Sequence, residues 1–140
     1  MKTQYTSLVQ IKKQHLDKME QSVSSCNQTI RIIKKKIEDS YIQLHDLQMP
    51  RGGDFALFRQ MQLLKKRAQD EIGFNKHNLG LAENALVKAM QQLKTANIEH
   101  EKFKYLETTE IEKIIKARKL QESKELDEVA VMMFNRNKKS

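Results

Sequence analysis

Met49-Pro50-Arg51-Gly52-Gly53-Asp54 breaks a chain that otherwise reads as helix from end to end. Pro50 lacks an amide donor, two glycines tolerate positive φ, and Asp54 has the side chain to cap a helix that follows. The stretch therefore reads as a corner between two helices. A phosphate-cradling loop would need more glycine, a Lys-Ser/Thr end and a preceding strand, and none of these is present.

Upstream of the corner, stepping alternately four and three residues from Tyr5 lands on Val9, Lys12, Leu16, Met19, Val23, Cys26, Ile30, Ile33, Ile37, Ser40, Leu44 and Leu47. Eleven of these thirteen positions are apolar, a 3.5-residue repeat that a partner helix must follow as a shallow supercoil. Downstream, the same stepping from Ala68 gives Ile72, Asn75, Leu79, Ala82, Leu86, Ala89, Leu93, Ala96, His100 and Phe103. Large side chains alternate there with Ala82, Ala89 and Ala96, so the facing backbone can come close while the bulkier first-helix residues fill the space. Long isolated helices are marginal in water, and about four residues join these two, so each is expected to bury its seam against the other, antiparallel. Asn75 and His100 read as register-setting polar positions.

The expected fold is all-α: one antiparallel two-helix coiled-coil hairpin over residues 1–140, with a helix over 3–48, a turn over 49–54, a longer, overhanging helix over 55–134 and a frayed basic tail over 135–140. With the turn centred near residues 51 and 52, residues whose numbers add to about 103 would lie abreast, and Tyr5 would face the neighbourhood of Ile98. At 1.5 Å per residue the second helix would outrun the first by about 50 Å. Where that cover ends the composition changes. From Glu107 to Glu128 twelve of 22 residues are charged and six apolar, which a solvated single helix tolerates, and then come six apolar residues, Val129 to Phe134. An uncovered apolar stretch calls for an occupant, either a partner protein or a second copy of the chain.

Composition narrows the function classes. The 140 residues are 39% hydrophobic and 31% charged with no Trp, too polar for a thick core. No apolar run approaches the roughly 20 residues of a membrane span and residues 1–10 carry no signal-peptide pattern, so a cytosolic protein is expected. Cys26 is the one cysteine, which fits a reducing compartment. His15, His45, His77 and His100 are dispersed without a metal-ligand spacing, and nothing stands beside Cys26 to activate it, so neither enzyme nor cofactor is expected. The net charge of +8 favours an acidic partner of some kind. Lys34-Lys35-Lys36 and Lys65-Lys66-Arg67 would fall abreast as a positive belt, with Glu38 and Asp39 opposite Lys65 and Lys66; pairing across the seam is the plainer reading of these charges. A basic hairpin gripping nucleic acid and a homodimeric coiled-coil adaptor stand as alternatives, although residues 107–128 are net negative with five basic and seven acidic residues.

Near the corner, Tyr41 and Ile42 of the first helix and Phe55, Leu57, Leu63 and Phe74 of the second lie off the counted seams. Phe55 can pack over the turn, but a two-helix tip cannot hide all six of these side chains, so Tyr41, Ile42, Phe55, Leu57, Leu63 and Phe74 read as anchors for a protein partner.

Taken together, the small basic chain, the shorter first helix, the Pro/Gly corner, the longer second helix and the Lys/Glu-rich end resemble the flagellar export protein FliJ family of type III secretion. Lys124-Glu125-Leu126-Asp127-Glu128 followed by Val129-Ala130 is similar to that family's C-terminal signature. The resemblance implies an antiparallel coiled coil similar to the central stalk of rotary ATPases, linking the export ATPase ring to the membrane-embedded export gate and assisting export chaperones at the inner membrane. It implies that Lys124, Glu125, Asp127, Glu128, Val131 and Phe134 meet the ATPase, and that the tip residues meet the gate. Val131, Met132 and Met133 depart from the family's more polar or basic pattern at this end.

Overall fold

The computed structural model describes residues 1–47 and 52–138. Two helices account for nearly all of them, α1 over Thr6–Asp46 and α2 over Phe55–Lys138, packed against each other with no strand among the described residues. α1 is opened by its own side chains: Thr3 N–H donates to Thr6 Oγ1 at 2.8 Å and Tyr5 N–H to Thr3 Oγ1 at 3.1 Å, two donors a helix start would otherwise leave unmet.

The corner behaves as its residues dictate where it is described. Gly52 and Gly53 take φ of 118° and 111°, a region side chains rarely enter, and the Asp54 carboxylate accepts from Ala56 N–H at 3.3 Å as the cap of α2. The expected turn positions Met49, Pro50 and Arg51, and Gln48 at the expected end of the first helix, lie outside the described residues. At the other end α2 continues through Lys138, where fraying from residue 135 was expected. No Gly or Pro stops it, and Arg136 and Lys138 sit in its last turn, where cations favour the helix dipole. Lys139 and Ser140 of the expected tail are not described.

The packing forms two compact units, Leu16–Thr95 and Met1–His15 with Ala96–Ser140. In the first, every counted seam position from Leu16 to Leu47 and from Ala68 to Leu93 is buried or half-buried, with Leu16, Ile30, Ser40, Ile72, Asn75 and Ala89 the most enclosed. In the second, Tyr5, Val9 and Lys12 of α1 and Phe103 of α2 are half-buried, and Ala96 and His100 are buried, Ala96 only 2% exposed. The periodicity thus chose the right faces.

The register is different from the one expected. Within Leu16–Thr95, Lys76 Nζ lies 5.3 Å from the centroid of the Tyr41 ring, and Gln43, Asp46 and Leu47 share a groove with Leu64, Arg67, Ala68 and Glu71. Within the other unit, Lys12 meets Glu99 and Phe103, and Thr6 meets Glu107. Each partner sits about ten residues further along α2 than a tight corner would give. The cause is the connection: eight residues, 47–54, separate the helices where about four were assumed. A linker of that length can reach roughly 25 Å, so α1 is free to slide until its apolar stripe faces the Ala/Leu seam, and the first turns of α2 are not covered by α1. Phe55 to Gln60 are all exposed.

Candidate partner-binding surfaces

The shifted register redistributes the residues expected at the tip. All six are exposed, but they do not form one cluster. Tyr41 and Ile42 border a shallow depression on α1 with Lys34, Ile37 and His45. Leu57 lies four residues before half-buried Met61 and looks to the inner side of α2, whereas Phe55, Leu63 and Phe74 occupy other sides of that helix. Phe55 is 75% exposed, and most of the turn it was expected to pack over lies outside the described residues. Phe58 and Leu64, also exposed, escaped the sequence reading. Counting the seam backwards from Ala68 through Lys65 and Met61 to Phe58 would have found the first of them.

The basic clusters are likewise apart. Arg67 lies beside Gln43, Asp46 and Leu47 of α1, about two turns beyond Lys34–Lys36, so the expected positive belt, and the expected opposition of Glu38 and Asp39 to Lys65 and Lys66, give way to the observed register. Cys26 is a half-buried seam residue with a free thiol. Among the described residues no group of three or more His, Cys, Asp or Glu stands together as a metal site.

The C-terminal end is the most exposed part of α2. From Ile115 to Lys138 every residue is exposed, about 36 Å of helix at 1.5 Å per residue. This is shorter than the 50 Å expected, because the slide of α1 brings Thr6 alongside Glu107. Lys124, Glu125, Asp127, Glu128, Val131 and Phe134 all lie on it. Gln121 donates to Glu125 at 3.4 Å and Lys138 Nζ stands 5.9 Å from the Phe134 ring, contacts the helix makes with itself. Six consecutive apolar residues at about 100° per residue cover more than a full circle. Val129–Phe134 is therefore apolar on every side, unlike the one-sided seams of the paired region.

The family model of the flagellar FliJ protein matches residues 1–139. The chain belongs to the FliJ family. No curated protein and no solved structure matches it. Membership gives the chain a flagellar, export-related role as a non-catalytic component. The paired helices of this FliJ-family chain agree with the all-α hairpin read from the sequence. No helix of its described residues is long and apolar enough to cross a membrane.

Proposed function

We propose that this chain is a non-enzymatic coupling component of the flagellar type III export apparatus, peripheral to the inner membrane on its cytoplasmic side. Its bare C-terminal helix engages the export ATPase ring, its corner end engages the membrane export gate, and it assists in handling export chaperones. The observation that carries this reading is the end of α2. Residues 115–128 are mostly charged and stable as a solvated helix, whereas Val129–Phe134 expose an apolar circumference. A helix apolar all round is stable when it is enclosed on all sides. A ring provides such an enclosure; a second helix lying alongside covers only one stripe, which weighs against the homodimer alternative.

The role needs a stiff element with contact surfaces at its extremities rather than a pocket, and α2 supplies 84 continuous helical residues. The test is deletion of residues 117–140. Binding to the export ATPase and any stimulation of its activity are expected to be lost, while the paired helices stay folded. Unchanged ATPase binding by the truncated chain would overturn the assignment of this end.

A further inference from the structure

The inner side of α2 continues beyond the point where α1 stops. The counted seam runs back from Ala68 through Lys65 and Met61 to Phe58, and Leu57 and Leu64, each one residue before a seam position, border it. Farther along α2 this side is covered by α1. Here α1 has ended at Asp46, and Leu47 closes a groove of about 400 Å³ with Leu64 and Ala68. Leu57, Phe58 and Leu64 remain exposed, 47%, 43% and 41%, in the lane that an extension of α1 would fill.

The charges around this lane have one sign. From Phe55 to Gln69 the charged residues are Arg59, Lys65, Lys66 and Arg67, all cations. Acids stand at its two ends: Asp54 before it, and Asp70, Asp46 and Glu71 where it meets α1, the last two lining the groove with Leu64 and Ala68.

We propose that Leu57, Phe58, Met61 and Leu64 seat an acidic amphipathic helix of a partner protein, laid along α2 in the lane that α1 vacates. The proposal rests on the reading of the corner end as a partner-binding end and adds the chemistry of what binds there. Four anchors at this spacing fit a helix with its own apolar residues at i, i+3/i+4 and i+7. The four cations Arg59, Lys65, Lys66 and Arg67 favour Glu or Asp on the incoming helix. A second copy of the chain would bring four cations against the same four cations.

The test uses the full-length chain and two helical model peptides that share one leucine stripe, one flanked by glutamates and the other by lysines. The glutamate peptide is expected to bind about tenfold more tightly or better. Leu57→Ala or Met61→Ala should weaken it about tenfold, whereas Leu81→Ala, exposed farther along α2, should leave it unchanged. The double charge reversal Lys65→Glu with Arg67→Glu should invert the preference, a gain that misfolding cannot mimic. Equal binding of the two peptides, or equal loss with Leu81→Ala, overturns the proposal. So does a dimer of the free chain that Met61→Glu dissolves, or displacement of the peptide by phosphatidylglycerol vesicles. Residues 117–140 take no part here, so failure of this assay leaves the ATPase assignment standing, and failure of that assignment leaves this one.

Discussion

Lys12 on α1 ties two successive turns of α2 together: its Nζ lies 3.7 Å from Glu99 Oε2 and 5.5 Å from the centroid of the Phe103 ring. Both carriers of the ion pair are about a third exposed, so the pair is worth little as a charge interaction, in the range of 0.2–1 kcal/mol. The lysine stem packed against Phe103 adds apolar contact. A double-mutant cycle of Lys12→Ala and Glu99→Ala, followed by urea unfolding, is expected to give a coupling below about 1 kcal/mol. Lys12→Met should keep most of the stability, because the stem, rather than the charge, occupies this seam position.

Ala89 and Ala96 are 4% and 2% exposed at the seam. Ala89→Leu or Ala96→Leu would force three extra carbons between closely packed backbones, with an expected loss of about 1–3 kcal/mol. Ala85→Leu, on the exposed side of the same helix, should change stability by less than about 0.5 kcal/mol. Thermal unfolding followed by circular dichroism distinguishes the two responses.

His100 is 9% exposed in the same seam, and its Nδ1 has no hydrogen-bond partner. Glu101 Oε1, at 4.0 Å, is too far to serve as one. An unmet buried polar atom costs about 1–3 kcal/mol, so His100→Leu is expected to raise the urea midpoint at pH 7 by an amount in that range, with an unchanged slope. A lower midpoint would mean that the imidazole has a role in the register that outweighs its unmet atom.

The seams were legible because a 3.5-residue repeat marks which side of each helix is buried whatever it meets: Tyr5 to Leu47 and Ala68 to Phe103 were assigned to the buried side, and none of these residues is exposed. Register was not legible, because it depends on how the linker is spent. Gly52-Gly53-Asp54 reads as a tight turn by its residue types, yet the chain uses eight residues there and lets α1 slide. That slide carried the tip residues with it. The expected register sets Tyr41 abreast of Gln62, whereas its ring lies by Lys76, and the same shift leaves Phe58 and Leu64 exposed.

The four glycines divide by conformation. Gly52 and Gly53 sit at positive φ, and Gly53→Ala is expected to cost about 1–2 kcal/mol through backbone strain alone. Gly73 and Gly80 are in mid-helix, and a Cβ added at either would meet nothing within 4 Å. Gly73→Ala and Gly80→Ala should each stabilise the chain by about 0.5–1 kcal/mol, additively because the sites are two turns apart and share no contact. Guanidinium unfolding of the singles and the double checks both the sign and the additivity.

Removing residues 117–140 separates folding from binding in the C-terminal end. Ile114 is the last half-buried residue of α2, so the deletion takes away no side chain that α1 covers. The midpoint of urea unfolding is therefore expected to stay within about 0.5 kcal/mol of the full chain, while the helical signal falls in proportion to the turns removed. If instead the midpoint drops by more than about 1 kcal/mol, the end of α2 contributes to the fold, and its apolar turns are covered in solution by the chain itself. A lesser cut after Glu128 removes Val129–Phe134 and leaves the charged turns in place. It should also leave stability unchanged, and any loss of ATPase binding it causes is then assigned to the apolar circumference rather than to Lys124, Glu125, Asp127 and Glu128.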